Sequence, residues 1–200
     1  MCLAIGVIPA ASEPKIVAPA PIVLYMQFEV TPPQEVLEAF QSETETIMEP
    51  IGIRLEWRAL NATRAEEVAT ELAVVTVKGR CDLAGMGLRS KIEGALGFTH
   101  MSDGQILPFA ELSCDKLRNF VQGELLTLSA DEREPAFGRA LGRVLAHELY
   151  HIFANTTKHG SGISKESYTV HDLMCDDFQF QHKEALVLRA GHDAATAGIL

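Results

Sequence analysis

The sequence predicts an α+β fold, a mixed sheet of four to five strands with helices packed on it. Three observations carry that expectation. Short β-prone runs recur in the first half of the chain, at residues 22–28, 53–58 and 72–77. The second half holds one long segment of helical periodicity, residues 139–155. No internal repeat, low-complexity tract or linker divides the chain, so residues 21–200 are expected to form a single domain.

Residues 1–20 are apolar, small and rich in proline, which suits a cleaved signal peptide or a flexible leader, although no Lys or Arg precedes the apolar stretch. Residues 22–28, between prolines and the Thr31-Pro32-Pro33 segment, read as the first strand. Thr31 is placed to start a helix on which Val36, Leu37, Phe40, Ile47 and Met48 recur at helical spacing until Pro50-Ile51-Gly52 stops it. Its acids Glu35, Glu38, Glu43, Glu45 and Glu49 are expected to be a solvated face. Ile53, Leu55 and Trp57 alternate with Arg54, Glu56 and Arg58, the pattern of a half-buried strand. Residues 61–71 are a polar connecting loop or short helix. The uniformly apolar run 72–77 should lie inside the sheet.

Glycines 85, 87, 94 and 97 mark a loop-rich passage that lacks the glycine order of a dinucleotide site. Residues 95–101 and 105–112 flank Ser102-Asp103-Gly104, a hairpin signal, and such a hairpin offers an edge to which an extended peptide could add. Residues 117–126 fit either a short helix or another extended piece. Ser129 and Glu132, spaced as a capping box, open the central helix. Residues 168–188 should be largely helical, and residues 193–200, small in side chain, frayed.

With 47% hydrophobic residues in 200, the chain can bury one good core. A net charge of −10 argues against nucleic acid or an anionic membrane as partner. No apolar run reaches the roughly 18 residues that span a bilayer. Cys81 and Cys114 both follow strand-like segments and are either a disulfide or two reduced buried thiols; no C-x-x-C pair competes for a metal.

The chemistry sits in His147-Glu148-Leu149-Tyr150-His151, an H-E-x-x-H pattern. At about 100° per residue the two imidazoles fall about 40° apart on one helical face, a ready pair of metal ligands. Glu148 lies about 100° round from His147, too far to join them but within reach of a water beside the metal. Arg139, Arg143, Tyr150, Ala140 and Ala154 share the histidine sector, which is expected to be a cleft wall. Phe137, Leu141, Leu145, Leu149, Ile152 and Phe153 fill the opposite, buried arc.

A catalytic zinc takes three protein ligands. His159 follows His151 by eight residues, and Asn155, a residue that tolerates the left-handed conformation, could end the helix in time to bring it back. Glu166, His171 and Asp172 are the other candidates for the third position. His100, His182 and His192 have no partner spacing and read as ordinary. Tyr168 could assist an oxyanion, although packing is its better assignment, and Met174 reads as core.

The pentapeptide followed by a downstream histidine resembles the metzincin clan of zinc peptidases, whose pattern is H-E-x-x-H-x-x-G-x-x-H. Here Ala154 stands at the glycine position and Thr157 at the third histidine; Asn155 and His159 restore both features with a turn two residues longer. Residues 142–163 are more closely similar to uncharacterised secreted bacterial zinc peptidases. The resemblance implies a zincin-like fold around the H-E-x-x-H helix and a Zn²⁺ held by His147, His151 and His159. It implies peptide-bond hydrolysis by a zinc-bound water with Glu148 as general base, and a peptide or protein substrate. A secreted or periplasmic location follows if residues 1–20 are a signal, and a cytoplasmic one otherwise. A zinc hydrolase of a non-peptide amide or ester, or an inactive zinc-stapled peptide-binding domain, fits the same residues.

Overall fold

The computed structural model describes residues 20–62, 69–84, 86–87 and 94–197. All but Ala20 of the expected leader, most of the 61–71 connection and Gly85 lie outside the described residues.

Strand β1 (Ile22–Phe28) pairs in parallel with β2 (Leu55–Ala59) on one side and β3 (Leu72–Lys78) on the other. Its residues Ile22 to Met26 are all buried, as an apolar strand covered on both faces must be. β3 pairs in parallel with β5 (Gln105–Ser113), and β5 turns back antiparallel to β4 (Gly97–Ser102) at the edge. The order is β2-β1-β3-β5-β4, a mixed five-stranded sheet in an α+β fold, as expected. The hairpin expectation holds: Asp103 and Gly104 take φ of 50° and 77°, the two left-handed positions of the tight turn. A register irregularity between Thr99 and Met101 bends β4.

Helix α1 (Gln34–Met48) starts three residues later than expected, with Pro33 rather than Thr31 at its cap, and a short helical turn leads to left-handed Gly52, φ 85°. Ile53, expected within β2, precedes that strand and is wholly buried. Two acids of the expected solvated face are engaged: Glu43 pairs with Arg143 at 2.6 Å, and Glu45 accepts from the Trp57 indole at 2.6 Å. Their partners lie 100 and 12 residues away, beyond the reach of a helical pattern.

The ambiguous 117–126 segment is helix α2 (Cys114–Leu125), capped by the Ser113 hydroxyl accepting from the Lys116 N–H. Cys114 at its first turn is disulfide-bonded to Cys81, with Cα atoms 5.0 Å apart. The pair joins the chain just beyond β3 to the chain just beyond β5. Because those strands are neighbours, with Lys78 opposite Ser113, the bond staples two adjacent strand ends.

Helix α3 (Ala130–Phe153) begins at Ser129, whose backbone N–H donates to Glu132 at 3.1 Å, and runs about 36 Å through the molecule. Phe137, Leu141, Leu145 and Leu149 are essentially unexposed. The opposite sector is not an open wall along its length: Ala140 is 0% and Arg143 3% exposed. α1 covers that part of the helix, and Arg143 also lies over the Phe178 ring, so only the histidine end faces a cleft.

The segment expected to be largely helical holds two helices with a break between them. α4 (Val170–Met174) is capped by Thr169 and Asp172, residues 175–181 are irregular, and α5 (His182–Ala197) follows. Of the residues expected to fray, α5 takes in those up to Ala197, the last described, and the helix is docked: Arg189 donates to the carbonyls of Ile51 and Pro50, each at 2.8 Å, and His192 is buried against Glu71. His192 is therefore not ordinary, though its partner lies 121 residues away.

Candidate metal centre

His147 and His151 project from the last two turns of α3 with Nε2 atoms 3.0 Å apart. Each ring is held from behind. His147 Nδ1 is 2.7 Å from the Ile163 carbonyl and His151 Nδ1 is 2.7 Å from the Thr156 carbonyl. A carbonyl only accepts, so each Nδ1 carries the proton and each Nε2 keeps a lone pair. Two lone pairs facing each other at that distance repel unless a cation lies between them. Burial lowers the pKa of both, His147 to about 4, which keeps them neutral and fit to ligate.

The helix ends where the third ligand requires. Asn155 takes φ 44°, its N–H bonds the Ile152 carbonyl, and the N–H of Thr156 bonds the His151 carbonyl. These are the paired bonds of a Schellman cap. The reversal places the Thr156 carbonyl on His151 and carries the chain back to His159. The His159 ring stacks on His147 at 5.5 Å between centroids and meets His151 edge-on at 4.9 Å. Donor atoms of the three lie within 4.8 Å of one another, close enough to hold a metal ion. A tetrahedral ion at about 2.0–2.1 Å from each nitrogen separates its donors by roughly 3.3 Å, inside the 3.0 to 4.8 Å range found here.

Among the described residues, the other candidates for the third position do not join this set. Asp172 caps α4 and pairs with Lys165 at 2.5 Å, His171 is exposed, and Glu166 lies on the cleft wall. Met174 packs against the core.

Glu148 is 4% exposed and its carboxylate accepts a 2.8 Å bond from the Thr99 hydroxyl of β4. Burial raises its pKa to about 7. β4 can come this close because residue 97 is glycine: a Cβ there would meet Glu148 Oε1 and Leu112 Cδ2, both at 2.9 Å. The hydroxyl of Tyr168 donates to the Ile163 carbonyl that also holds His147, and burial raises its pKa. Tyr168 thus meets, from behind, the carbonyl that holds the His147 ring.

Two cavities open on either side of this centre and share Gly97, His147, Glu148 and Glu166. One, of about 300 Å³, runs along Phe98, Met101 and Ile106; the other, of about 250 Å³, is walled by Leu96, Phe120 and Val144.

Sequence reasoning brought out His147, Glu148, His151 and His159 but not Thr99, Gly97 or the carbonyls behind the rings. The hairpin signal located β4 without showing which residue meets the helix, and backbone acceptors carry no side-chain signature. No protein-family model matches this chain, and no curated protein matches it.

Proposed function

We propose that this protein is a zinc-dependent peptidase. The observation that carries the reading is the pair of Nε2 atoms of His147 and His151 facing each other at 3.0 Å, completed by His159, beside the buried Glu148 carboxyl. His147, His151 and His159 would hold a divalent ion, which would supply Lewis acidity to a carbonyl oxygen and to water. Glu148 takes the proton from the attacking water and delivers it to the leaving amine; its carboxyl lines the same cavity as His147, His151 and His159. Thr99 fixes the carboxylate's orientation for both transfers.

An extended substrate suits the site. β4 has β5 on one side only among the described residues, so its other edge can pair with a peptide backbone. The apolar cavities on the two sides would take side chains flanking the cleaved bond. Three donors opening on a cavity favour catalysis over a structural staple, which closes its site with a fourth protein ligand. Export is part of the same proposal, supported by the Cys81–Cys114 disulfide.

The test is Glu148→Gln. Wild-type protein should retain about one zinc per chain and cleave an internally quenched peptide library. The variant should keep the metal and lose at least about a hundredfold in rate, the scale of a general base. Retained cleavage by E148Q, or a wild-type chain without zinc, overturns the assignment.

A further inference from the structure

Glu184 is a buried carboxyl, 6% exposed near the start of α5, that lines neither cavity beside the metal centre. One oxygen, Oε2, accepts the Gln181 N–H at 2.9 Å, which is what a third-position glutamate does at a helix start. Helix capping does not require burial. The other oxygen, Oε1, leaves the helix and accepts the hydroxyl of Ser164, a residue 0% exposed in the loop beyond His159.

Ser164 stands at the junction of that loop. Its carbonyl accepts the N–H of Gly160, the residue directly after His159, at 3.0 Å. Its preceding residue, Ile163, presents the carbonyl that holds the His147 ring. Its hydroxyl also lies 3.2 Å from the Ser161 carbonyl within the same loop. The packing leaves no slack: a Cβ on Gly160 would come 2.8 Å from Ser164 Oγ and 3.5 Å from Glu184 Oε1. One carboxylate therefore fixes, through one hydroxyl, the backbone that sets two of the three imidazoles.

We infer that Glu184 is a positioning residue for the metal centre: through Ser164 it locks the loop carrying His159 and the Ile163 carbonyl, and so sets metal affinity from outside the site. The inference rests on the metal-centre assignment. A hydrogen bond to a charged acceptor is stronger than a neutral one and strongest away from water. Removing partners behind metal ligands typically lowers affinity 10- to 100-fold. Glu184 acts one bond further back, so about tenfold is expected.

The experiment measures zinc affinity by chelator competition and the visible spectrum of the cobalt-substituted protein for wild type, Glu184→Ala, Ser164→Ala and the double variant, with the melting temperature of each metal-free protein alongside. Each single variant should bind zinc about tenfold more weakly with an altered cobalt spectrum, and the double variant no more weakly than either, because both cut one connection. E184Q, whose amide can donate to Ser164 Oγ, should recover most of the affinity. Wild-type affinity and spectrum in E184A and S164A, with only the melting temperature lowered, would make Glu184 merely structural and overturn the inference alone. If E184A does not fold, S164A decides by the same readouts. A wild-type chain that binds no zinc overturns the metal centre and this inference together.

Discussion

At the scale of single residues, burial pushes the titratable groups of the centre towards their neutral forms. Glu148 is raised from 4.5 to about 7, while His147 is lowered from 6.5 to about 4. Their linkage signs oppose each other. Between about pH 4.5 and 7 the folded, metal-free chain holds a proton on Glu148 that the unfolded chain has released, so Glu148 makes stability fall as pH rises through that window. His147 stabilises the fold above its unfolded value of 6.5, and this is lost as pH falls towards 4. Glu148→Gln removes the first effect and keeps the second. Metal-free E148Q should match the wild type near pH 4 and exceed it by about 3 kcal/mol above pH 7. Urea unfolding across that range measures the difference, and a constant offset at all pH values would contradict the buried-acid account. The same variant is expected to be inactive, so stability and function are opposed at this position. His147, Glu148 and His151 were legible because ligand spacing is local on a helix. His159 was legible through Asn155, whose left-handed backbone the structure bears out. Thr99 and Glu184 were not, since each meets the site from a remote part of the chain.

At the scale of elements, α3 was readable in extent but misread along part of its front. The polar residues Arg143 and Tyr150 fall in the histidine sector, yet α1 and the segment before α5 bury them. A helical wheel reports which face a residue occupies and not what is packed on that face. The overlooked signal was glycine spacing. Gly138 and Gly142, four apart, let the two helices approach at backbone distance: a Cβ on Gly138 would lie 2.4 Å from the Val36 carbonyl oxygen and 2.8 Å from Ala39 Cβ. A carbonyl oxygen cannot swing aside as a flexible side chain can. Gly138→Ala would ordinarily favour a helix by roughly 1 kcal/mol, but here the helices must separate, and overpacking of that kind costs about 1–3 kcal/mol. The prediction is net destabilisation of up to about 2 kcal/mol in thermal melts. Gly123→Ala on α2, where a Cβ meets nothing within 4 Å, should by contrast be neutral or stabilising. A stabilised G138A would mean that α1 is not seated on α3 as described.

At the scale of the molecule, the site assembles where three distant parts of the chain meet: the edge hairpin, the end of α3, and the loop that α5 clamps from behind. The class of fold followed from local patterns, since strand runs and helical periods are each contained within about a dozen residues. The strand order was not readable, because pairing β3 with β5, past the intervening β4, depends on contacts that leave no local pattern. The Cys81–Cys114 bond acts at this scale. It closes a 33-residue separation that contains the whole of β4, with Gly97 and Thr99 on it. On the chain-entropy account such a closure restricts mainly the unfolded state and contributes about 3–4 kcal/mol. For a chain of this size that amounts to roughly 10 °C in melting temperature. Replacing both cysteines with serine should therefore lower the melting temperature by about that amount. Zinc affinity of the folded protein should stay within about threefold of wild type, because the hydrogen bonds that hold Glu148, His147, His151 and the Ser164 loop do not involve either cysteine. Calorimetry and chelator competition on the same preparation separate the two effects. A large loss of affinity with little change in melting temperature would show that the bond shapes the folded hairpin rather than the unfolded ensemble, placing the disulfide among the devices that hold the site.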